Sequence, residues 1–281
     1  MTSHTHRIGY MQGRLSPQVD GKIQAFPWAH WRSEFPAARE LGIGLMEWTL
    51  DHERLFENPL MTDDGRREIA ELSRTNAVRV GALTGDLFMQ APFWKASAEE
   101  REERIAELDA VLAACTDVGI REIVVPLVDN GSLQTGGHAA ALSEVLLART
   151  ERLRDGGLVI VFESDFAPQA LADFIAGYPS DVFGINYDTG NSAALAYDPG
   201  KEIAAYGSRI LHVHIKDRVR GGTTVPLGTG NADLARTVRL LESGGYQGDY
   251  VLQTARASDG DHAGALQRYH AMTLDWLGAA G

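Results

Sequence analysis

The 281-residue sequence has very little cysteine, no long apolar run and no excess of positive charge, and each absence excludes a class of protein. Cys115 is the only cysteine, so neither an intrachain disulfide nor a cysteine metal cluster can form. We expect Cys115 to be a small, buried apolar residue within a helix. No run of about 18 apolar residues occurs, which argues against a membrane-spanning helix. The net charge of −12 argues against nucleic acid or an anionic membrane as a partner.

Two other kinds of signal are missing from the sequence. The polar segment 1–7 has no apolar core of signal-peptide length, so we expect the protein to be cytoplasmic. The first predicted turn, residues 10–15, lacks the glycine fingerprint of dinucleotide-binding folds. No linker or low-complexity stretch interrupts the chain, and we therefore expect residues 1–281 to form one domain.

What the sequence does contain is a set of eight short apolar segments, rich in Val, Ile and Leu, with little polar alternation. Such segments are typical of parallel strands that are buried on both faces. The predicted strands are residues 7–12, 45–50, 78–85, 122–128, 158–164, 183–189, 210–217 and 250–255.

Helical patterns separate the predicted strands. They cover residues 28–41, 62–75, 98–118, 137–154, 168–177, 201–206, 232–244 and 262–277. Eight consecutive strand–helix units predict an α/β protein with the architecture of a single (β/α)8 TIM barrel. A doubly wound open sheet is the alternative fold.

Three polar residues lie at or near the ends of consecutive predicted strands. Glu163 is near the end of the fifth, Asp188 near the end of the sixth, and His214 towards the end of the seventh. In a parallel barrel the active site lies at the carboxyl ends of the strands, so these side chains should point into one site. His212 has the same strand parity as His214, and we expect it one layer deeper as a core histidine. Two carboxylates and one imidazole suit a divalent metal such as Mn, Mg, Co or Zn.

Several stretches, taken in order, resemble the xylose-isomerase-like TIM barrels. That superfamily includes sugar and sugar-phosphate epimerases and isomerases, inosose dehydratases and type IV apurinic endonucleases. The opening Met-Gln-Gly-Arg-Leu at 11–15 resembles its sugar-phosphate isomerase and epimerase branch, and the resemblance covers essentially the whole chain. The other matching stretches are Phe-Glu-Ser at 162–164, Tyr-Asp-Thr-Gly-Asn at 187–191, His-Val-His-Ile-Lys-Asp at 212–217, Pro-Leu-Gly-Thr-Gly at 226–230 and the closing segment 245–253.

The resemblance implies a divalent metal held by Glu163, Asp188, His214 and the residue at position 253. In the epimerases that last residue is a glutamate, and the two glutamates bind metal and exchange protons on opposite faces of the substrate. This sequence has Gln253 at that position. We keep Gln253 as a metal-ligand and catalytic-site candidate, because its amide can bind a metal or a substrate. It cannot accept and return a proton at neutral pH.

The glutamine changes the chemistry that we expect. Glu163 alone cannot serve both faces of an enediolate, so the sequence favours isomerisation along one face, a one-base elimination, or epimerisation with another acid. Asp86, Asp129 and Glu47 are the candidates for that acid. The loss of a carboxylate ligand also predicts weaker binding of hard divalent metals.

Five further residues are candidate substrate ligands. Asn191 stands where several relatives place a second histidine, and we expect it to orient the substrate or the turn. Lys216 shares the strand parity of the predicted histidine ligand and either reaches the substrate or forms a salt bridge with Asp217 or a neighbouring loop. Arg14 and Arg256 are candidate donors to a phosphate or carboxylate, with surface solvation as the alternative. Glu47 lies either near the substrate or in an internal ion pair.

The leading hypothesis is an enzyme, an isomerase or epimerase of a sugar, sugar phosphate or related polyol that works through an enediolate. One alternative is a metal-dependent lyase or dehydratase acting on an inosose-like or keto-sugar substrate. Another is a sugar-binding barrel that has lost its activity along with the second glutamate. The net charge and Asn191 disfavour an endonuclease. Homo-oligomers are common in this superfamily, but the sequence indicates no surface for one.

Overall fold

Ten strands are present in residues 5–280, the part of the chain that the computed structural model describes. Eight of them are parallel and close into a barrel. The predicted (β/α)8 TIM barrel is therefore confirmed, and the open doubly wound sheet is wrong. The strands are β1 (Ile8–Met11), β2 (Leu45–Thr49), β3 (Arg79–Thr84), β4 (Glu122–Leu127), β5 (Val159–Ser164), β6 (Phe183–Asp188), β7 (Ile210–Ile215), β8 (Asp217–Arg218), β9 (Thr224–Val225) and β10 (Tyr250–Leu252).

Around the barrel, β10 closes the sheet between β7 and β1, while β8 and β9 form a short antiparallel hairpin outside it. Helices follow the strands and cover the barrel. Among residues 5–280, none of the helices combines the length and the hydropathy that a membrane span requires. The helices are α1 (Glu34–Glu40), α2 (Asp63–Asn76), α3 (Asp86–Gln90), α4 (Ala98–Val118), α5 (Gly136–Leu147), α6 (Thr150–Gly156), α7 (Pro168–Ala176), α8 (Thr189–Ala194), α9 (Pro199–Tyr206), α10 (Leu234–Ser243) and α11 (His262–Gly278).

The helices differ from the sequence prediction in three places. Residues 28–33 form turns, so the predicted helix 28–41 is present only from Glu34. Pro36 explains this start, because a proline is tolerated in the first helical turn but not in a helix interior. The predicted helix 137–154 is divided into α5 and α6. The short helices α3 and α8, which were not predicted, begin directly after β3 and β6 and carry residues to the site.

The strand register brings the predicted site residues side by side. Asp188 on β6 and His214 on β7 are Cα partners, and His214 is also paired with Val251 on β10. Glu163 lies on the adjacent strand β5. Because all three strands run parallel, their carboxyl ends meet at the same end of the barrel.

An apolar core between the barrel and its helices holds the strands in place. Phe162 is fully buried on β5 and contacts the rings of Phe174, Tyr178 and Phe183, with centroids 5.3, 5.1 and 6.2 Å away. Cys115 is buried in α4, as expected. Since Phe162 immediately precedes Glu163, this packing fixes the end of β5 from which the carboxylate projects into the barrel.

Candidate active site

A cavity of about 480 Å³ opens at the carboxyl ends of the barrel strands. Glu163 and Gln253 both line it, together with Asn191 and Lys216. The cavity therefore lies where parallel barrels place their active sites. Its polar lining comes from segments that are far apart in the sequence, so only closure of the barrel assembles it.

Glu163, Asp188 and His214 converge beside this cavity. One ligand atom from each lies within 4.8 Å of the others, and all three side chains are buried. Nδ1 of His214 is 3.3 Å from Oε2 of Glu163. Buried carboxylates this close together are stabilised by positive charge, which a divalent cation would supply in addition to the charged side chains nearby.

Glu47 sets the orientation of the His214 ring. Its Oε1 is 2.9 Å from Nε2 of His214, and the other ring nitrogen, Nδ1, faces Glu163. A carboxylate behind an imidazole is the usual support of a metal-binding histidine, because it fixes both the ring and its tautomer. Glu47 is fully buried and makes the internal contact that was one of its two expected roles.

Below His214 the polar contacts continue through the barrel interior. His212 is fully buried, with Nε2 2.6 Å from Oε2 of Glu47 and Nδ1 2.6 Å from Oε2 of Glu122. Burial disfavours the charged imidazole, but the carboxylates outweigh it and raise the pKa of His212 to about 10 and that of His214 to about 9. Burial likewise opposes ionisation of Glu47, yet the two imidazoles hold its pKa well below the usual range.

Asn186, on the strand between Glu163 and His214, was not predicted as a site residue. Its Nδ2 donates to Oε2 of Glu163 at 2.9 Å and lies 2.9 Å from Nδ1 of His214. Its strand parity with Asp188 could have indicated an inward side chain. Asn186 holds Glu163 and His214 close to each other.

The side-chain amide of Gln253 has one atom that forms a hydrogen bond and one that forms none among the described residues. Its Nε2 donates to Oε1 of Gln24 at 3.1 Å. Its Oε1 is buried without a hydrogen-bond partner among the described residues. A buried carbonyl oxygen that lacks a donor is costly unless something else binds it. Gln253 lines the same cavity as Glu163, and an amide oxygen without a donor is chemically suited to complete the predicted set of four metal ligands.

Asn191 and two cations form one wall of the cavity. Asn191 donates from Nδ2 to Oε1 of Glu163 at 2.5 Å, and its Oδ1 accepts from a guanidinium nitrogen of Arg218 at 2.6 Å. Nζ of Lys216 donates to Oδ2 of Asp188 at 3.1 Å. Arg218 was not predicted, although the two-residue alternation that runs from His214 through Lys216 reaches it.

The two predicted arginines lie elsewhere. Arg14 donates to the backbone carbonyls of Thr254 and Ile23 at 2.9 and 3.2 Å, and Arg256 donates to that of Ser16 at 2.7 Å. Neither Arg14, Arg256 nor Glu47 lines the cavity. Their direct contact with a substrate stays a prediction, and the observed bonds give the two arginines the role of fixing the loop after β1.

Two acids named as replacements for the second glutamate do line the cavity. Asp86 begins α3, and Asp129 follows β4. Gln24, which was not predicted as a site residue, also lines it and donates to Asp86. Gln24 lies in the loop after β1, where no periodic pattern shows the direction of a side chain.

Comparisons with known proteins identify the family and the fold of the chain. A family model described as a xylose isomerase-like TIM barrel matches residues 35–276. The L-ribulose-5-phosphate 3-epimerase UlaE of Escherichia coli (strain SMS-3-5) is 26% identical over an alignment of 271 residues that covers 89% of this chain and 89% of that protein. The crystal structure of the IOLI protein with a zinc atom has a TM-score of 0.75 at 17% identity, covering 98% of this chain and 99% of that one. D-allulose 3-epimerase from Methylomonas sp., in complex with D-allulose, has a TM-score of 0.71 at 16% identity and covers 99% of both chains.

At these identities the solved structures establish the shared fold. The family model spans most of the chain, from α1 to the last helix. The protein therefore belongs to the xylose isomerase-like TIM barrel family.

Proposed function

We propose that the protein is a divalent-metal-dependent isomerase or epimerase of a ketose or ketose phosphate. The observation that carries this proposal is the convergence of Glu163, Asp188 and His214 beside an open cavity, with ligand atoms within 4.8 Å of one another. The curated relatives support the substrate class, since they are named L-ribulose-5-phosphate 3-epimerases.

In this proposal Glu163 transfers the proton. Its two carboxylate oxygens accept from the amides of Asn191 and Asn186, which hold it in one orientation towards the cavity. A group so placed can take a proton from the carbon next to a carbonyl. Together with Glu163, the residues that would hold the cation are Asp188, His214 and Gln253, the last through its free oxygen. When bound, a divalent cation would polarise the substrate carbonyl and offset negative charge on its oxygen.

Lys216 and Arg218 are placed to bind oxygen atoms of the substrate. Both line the cavity, and each is anchored by Asp188 or Asn191. A guanidinium and an ammonium on one wall suit hydroxyl or phosphate oxygens. Their positions near Glu163 would orient the substrate chain relative to the proton-transfer group.

Proton exchange tests the proposal directly. The protein loaded with Mn²⁺ is incubated in D2O with free and phosphorylated pentuloses and hexuloses, and the products are followed by NMR after the metal is removed. We expect deuterium at a carbon next to the carbonyl, and we expect Glu163→Gln to abolish this exchange. An unsaturated or shortened product would instead identify a lyase. No exchange with any ketose, despite bound metal, would reject the proposed function.

A further inference from the structure

The proposed chemistry leaves open how a proton reaches the second face of a substrate when position 253 is a glutamine. We propose that Asp86 is the second proton-transfer residue and that Gln253 holds it in place through Gln24. This inference rests on the proposed function and specifies it as epimerisation by two carboxyl groups, Glu163 and Asp86.

Asp86 is buried yet faces the cavity. It is 8% exposed, begins α3 directly after β3, and lines the same cavity as Glu163. Within residues 5–280 its carboxylate has a single hydrogen-bond donor, Nε2 of Gln24, which is 2.5 Å from Oδ2. No cation of the described chain pairs with it. Its second oxygen is therefore available to a substrate in the cavity.

The direction of the amide contacts explains why residue 253 is a glutamine. An ionised Asp86 can only accept hydrogen bonds, so Gln24 must present its NH2 group to Asp86 and its carbonyl oxygen to residue 253. Residue 253 must then donate, as Nε2 of Gln253 does at 3.1 Å. An ionised glutamate there could not donate, and Gln24 would have to turn its NH2 group away from Asp86. Gln253 and the buried, cavity-facing Asp86 are thus parts of one hydrogen-bonded arrangement.

The surroundings of Asp86 suit proton transfer near neutral pH. Burial raises the pKa of Asp86 to about 7, and the charges of Asp51 and Glu163 act in the same direction. The hydrogen bond from Gln24 and the charge of Lys216 oppose them. A carboxyl group that titrates near the working pH can both deliver and accept a proton efficiently.

The proton transfers balance as follows. The Glu163 carboxylate takes the proton from the carbon next to the carbonyl, the C–H electron pair forms the C=C bond of an enediolate, and the carbonyl π pair moves to oxygen. The Asp86 carboxyl then delivers its proton to the same carbon from the other face as the carbonyl re-forms. Glu163 ends protonated and Asp86 ionised. Proton exchange with water in the open cavity returns both to their starting states.

Two-base catalysis has a signature that a supporting role does not produce. In Asp86→Asn with Mn²⁺ bound, the epimer whose C–H bond faces Glu163 should still exchange that hydrogen for deuterium in D2O, but its configuration should not invert. The other epimer should show neither hydrogen exchange nor inversion. Inversion should fall about 100-fold or more. Glu163→Gln should show the opposite preference. Asp155→Asn, an exposed aspartate, is the matched control and should leave all the rates unchanged.

Three outcomes overturn the assignment of Asp86. One is inversion by Asp86→Asn at the wild-type rate, another is equal loss of exchange from both epimers, and the third is a wild-type protein that isomerises without inverting. In each case the wild-type exchange that supports the proposed function is still present. A wild-type protein with no exchange rejects both proposals.

The coupling through Gln24 has a separate test that needs no activity. In metal-free buffer, Gln253→Glu should lower the melting temperature, because it leaves Gln24 with its carbonyl facing Asp86. The same change in an Asp86→Asn background should lower it by less than half as much, because the new amide can donate to that carbonyl. An Asp129→Asn background removes a cavity charge without a contact to Gln24 and should give no such rescue. Equal decreases in all three backgrounds would contradict the coupling.

Discussion

Glu47 joins His212 and His214, with one carboxylate oxygen on each imidazole at 2.6 and 2.9 Å. The three groups are fully buried, so each charge depends on the others for its compensation. The site at the cavity and the barrel interior beneath it are therefore one electrostatic unit. Changes in the interior should alter both stability and metal binding.

Replacing Glu47 tests this dependence. Glu47→Gln should lower the free energy of unfolding by about 3–5 kcal/mol, because it removes the buried carboxylate that the two imidazoles share. It should also weaken Mn²⁺ binding about 10–100-fold, because His214 loses the acceptor that fixes its ring. Urea unfolding in EDTA and calorimetric titration measure the two effects. Glu68→Gln, which removes an exposed partner of Arg32, should change stability by less than about 1 kcal/mol.

Removing one metal ligand at a time should rank the ligands. Asp188→Asn exchanges a charged ligand for a neutral one, and Mn²⁺ affinity should fall more than about tenfold. Gln253→Ala removes a neutral oxygen and should have a smaller effect. Thermal unfolding at a series of Mn²⁺ concentrations gives both affinities, because a saturating metal stabilises the fold by about 2.7 kcal/mol at 100 times its Kd. A larger effect from Gln253→Ala than from Asp188→Asn would contradict the proposed ligand set.

Glu34 should give stability a pH dependence. It accepts from Ser16 and from the backbone N–H groups of Gly13 and Leu15. Burial nevertheless raises its pKa from 4.5 to about 7. A raised acidic pKa means that the folded state keeps a proton that the unfolded state has lost, so stability falls as the pH rises from about 4.5 to 7 and then levels off.

The effect can be isolated with Glu34→Gln, which cannot titrate. The difference between its unfolding free energies at pH 4.5 and pH 8 should be smaller than that of the wild type by about 3 kcal/mol. Urea titrations at the two pH values measure it. An unchanged difference would mean that the donors from residues 13–16 keep Glu34 ionised, and the raised pKa would be wrong.

Phe162 supports the end of β5 through packing alone. Phe162→Ala should cost about 3–5 kcal/mol, because it empties a space between three aromatic rings. Phe56→Ala is the matched control, since Phe56 is 59% exposed, and it should cost less than about 0.5 kcal/mol. Urea unfolding provides the comparison. Equal costs would show that Phe162 is not a packing centre.

The barrel could be predicted because strands buried on both faces leave a pattern in the sequence. The segment ending at Glu163 is apolar at every position from 158 to 162, and an acid there has no structural explanation in an apolar core. The shared parity placed both histidines inside the barrel, and their order along β7 separated His214, nearer the carboxyl end, from His212, which lies deeper. These inferences need only the alternation of side chains along a strand and the rule that parallel barrel strands place their carboxyl ends at the same side of the barrel.

The contacts that the sequence could not supply are those between distant, irregular segments. Gln24 and Asp86 are 62 residues apart, and neither lies in a periodic pattern that fixes its direction. Arg14 and Arg256 were predicted to bind an anion. A sequence does not show which backbone carbonyls will accept hydrogen bonds from a guanidinium group instead. The backbone conformation of the loop after β1 determines which carbonyls the two arginines contact, and no pattern in the sequence predicts that conformation.

The loop after β1 depends on the last strand for its shape. Arg14 donates a hydrogen bond to the backbone carbonyl of Thr254, and Arg256 donates one to the backbone carbonyl of Ser16. The segments that follow β1 and β10 are therefore hydrogen-bonded to each other. Gln24 reaches the cavity from this loop and meets Gln253 there. During synthesis the first segment of the site is made more than 200 residues before its partner. The cavity is therefore complete only after β10 has paired with β7 and β1. A chain that lacks this last strand should not act on a substrate.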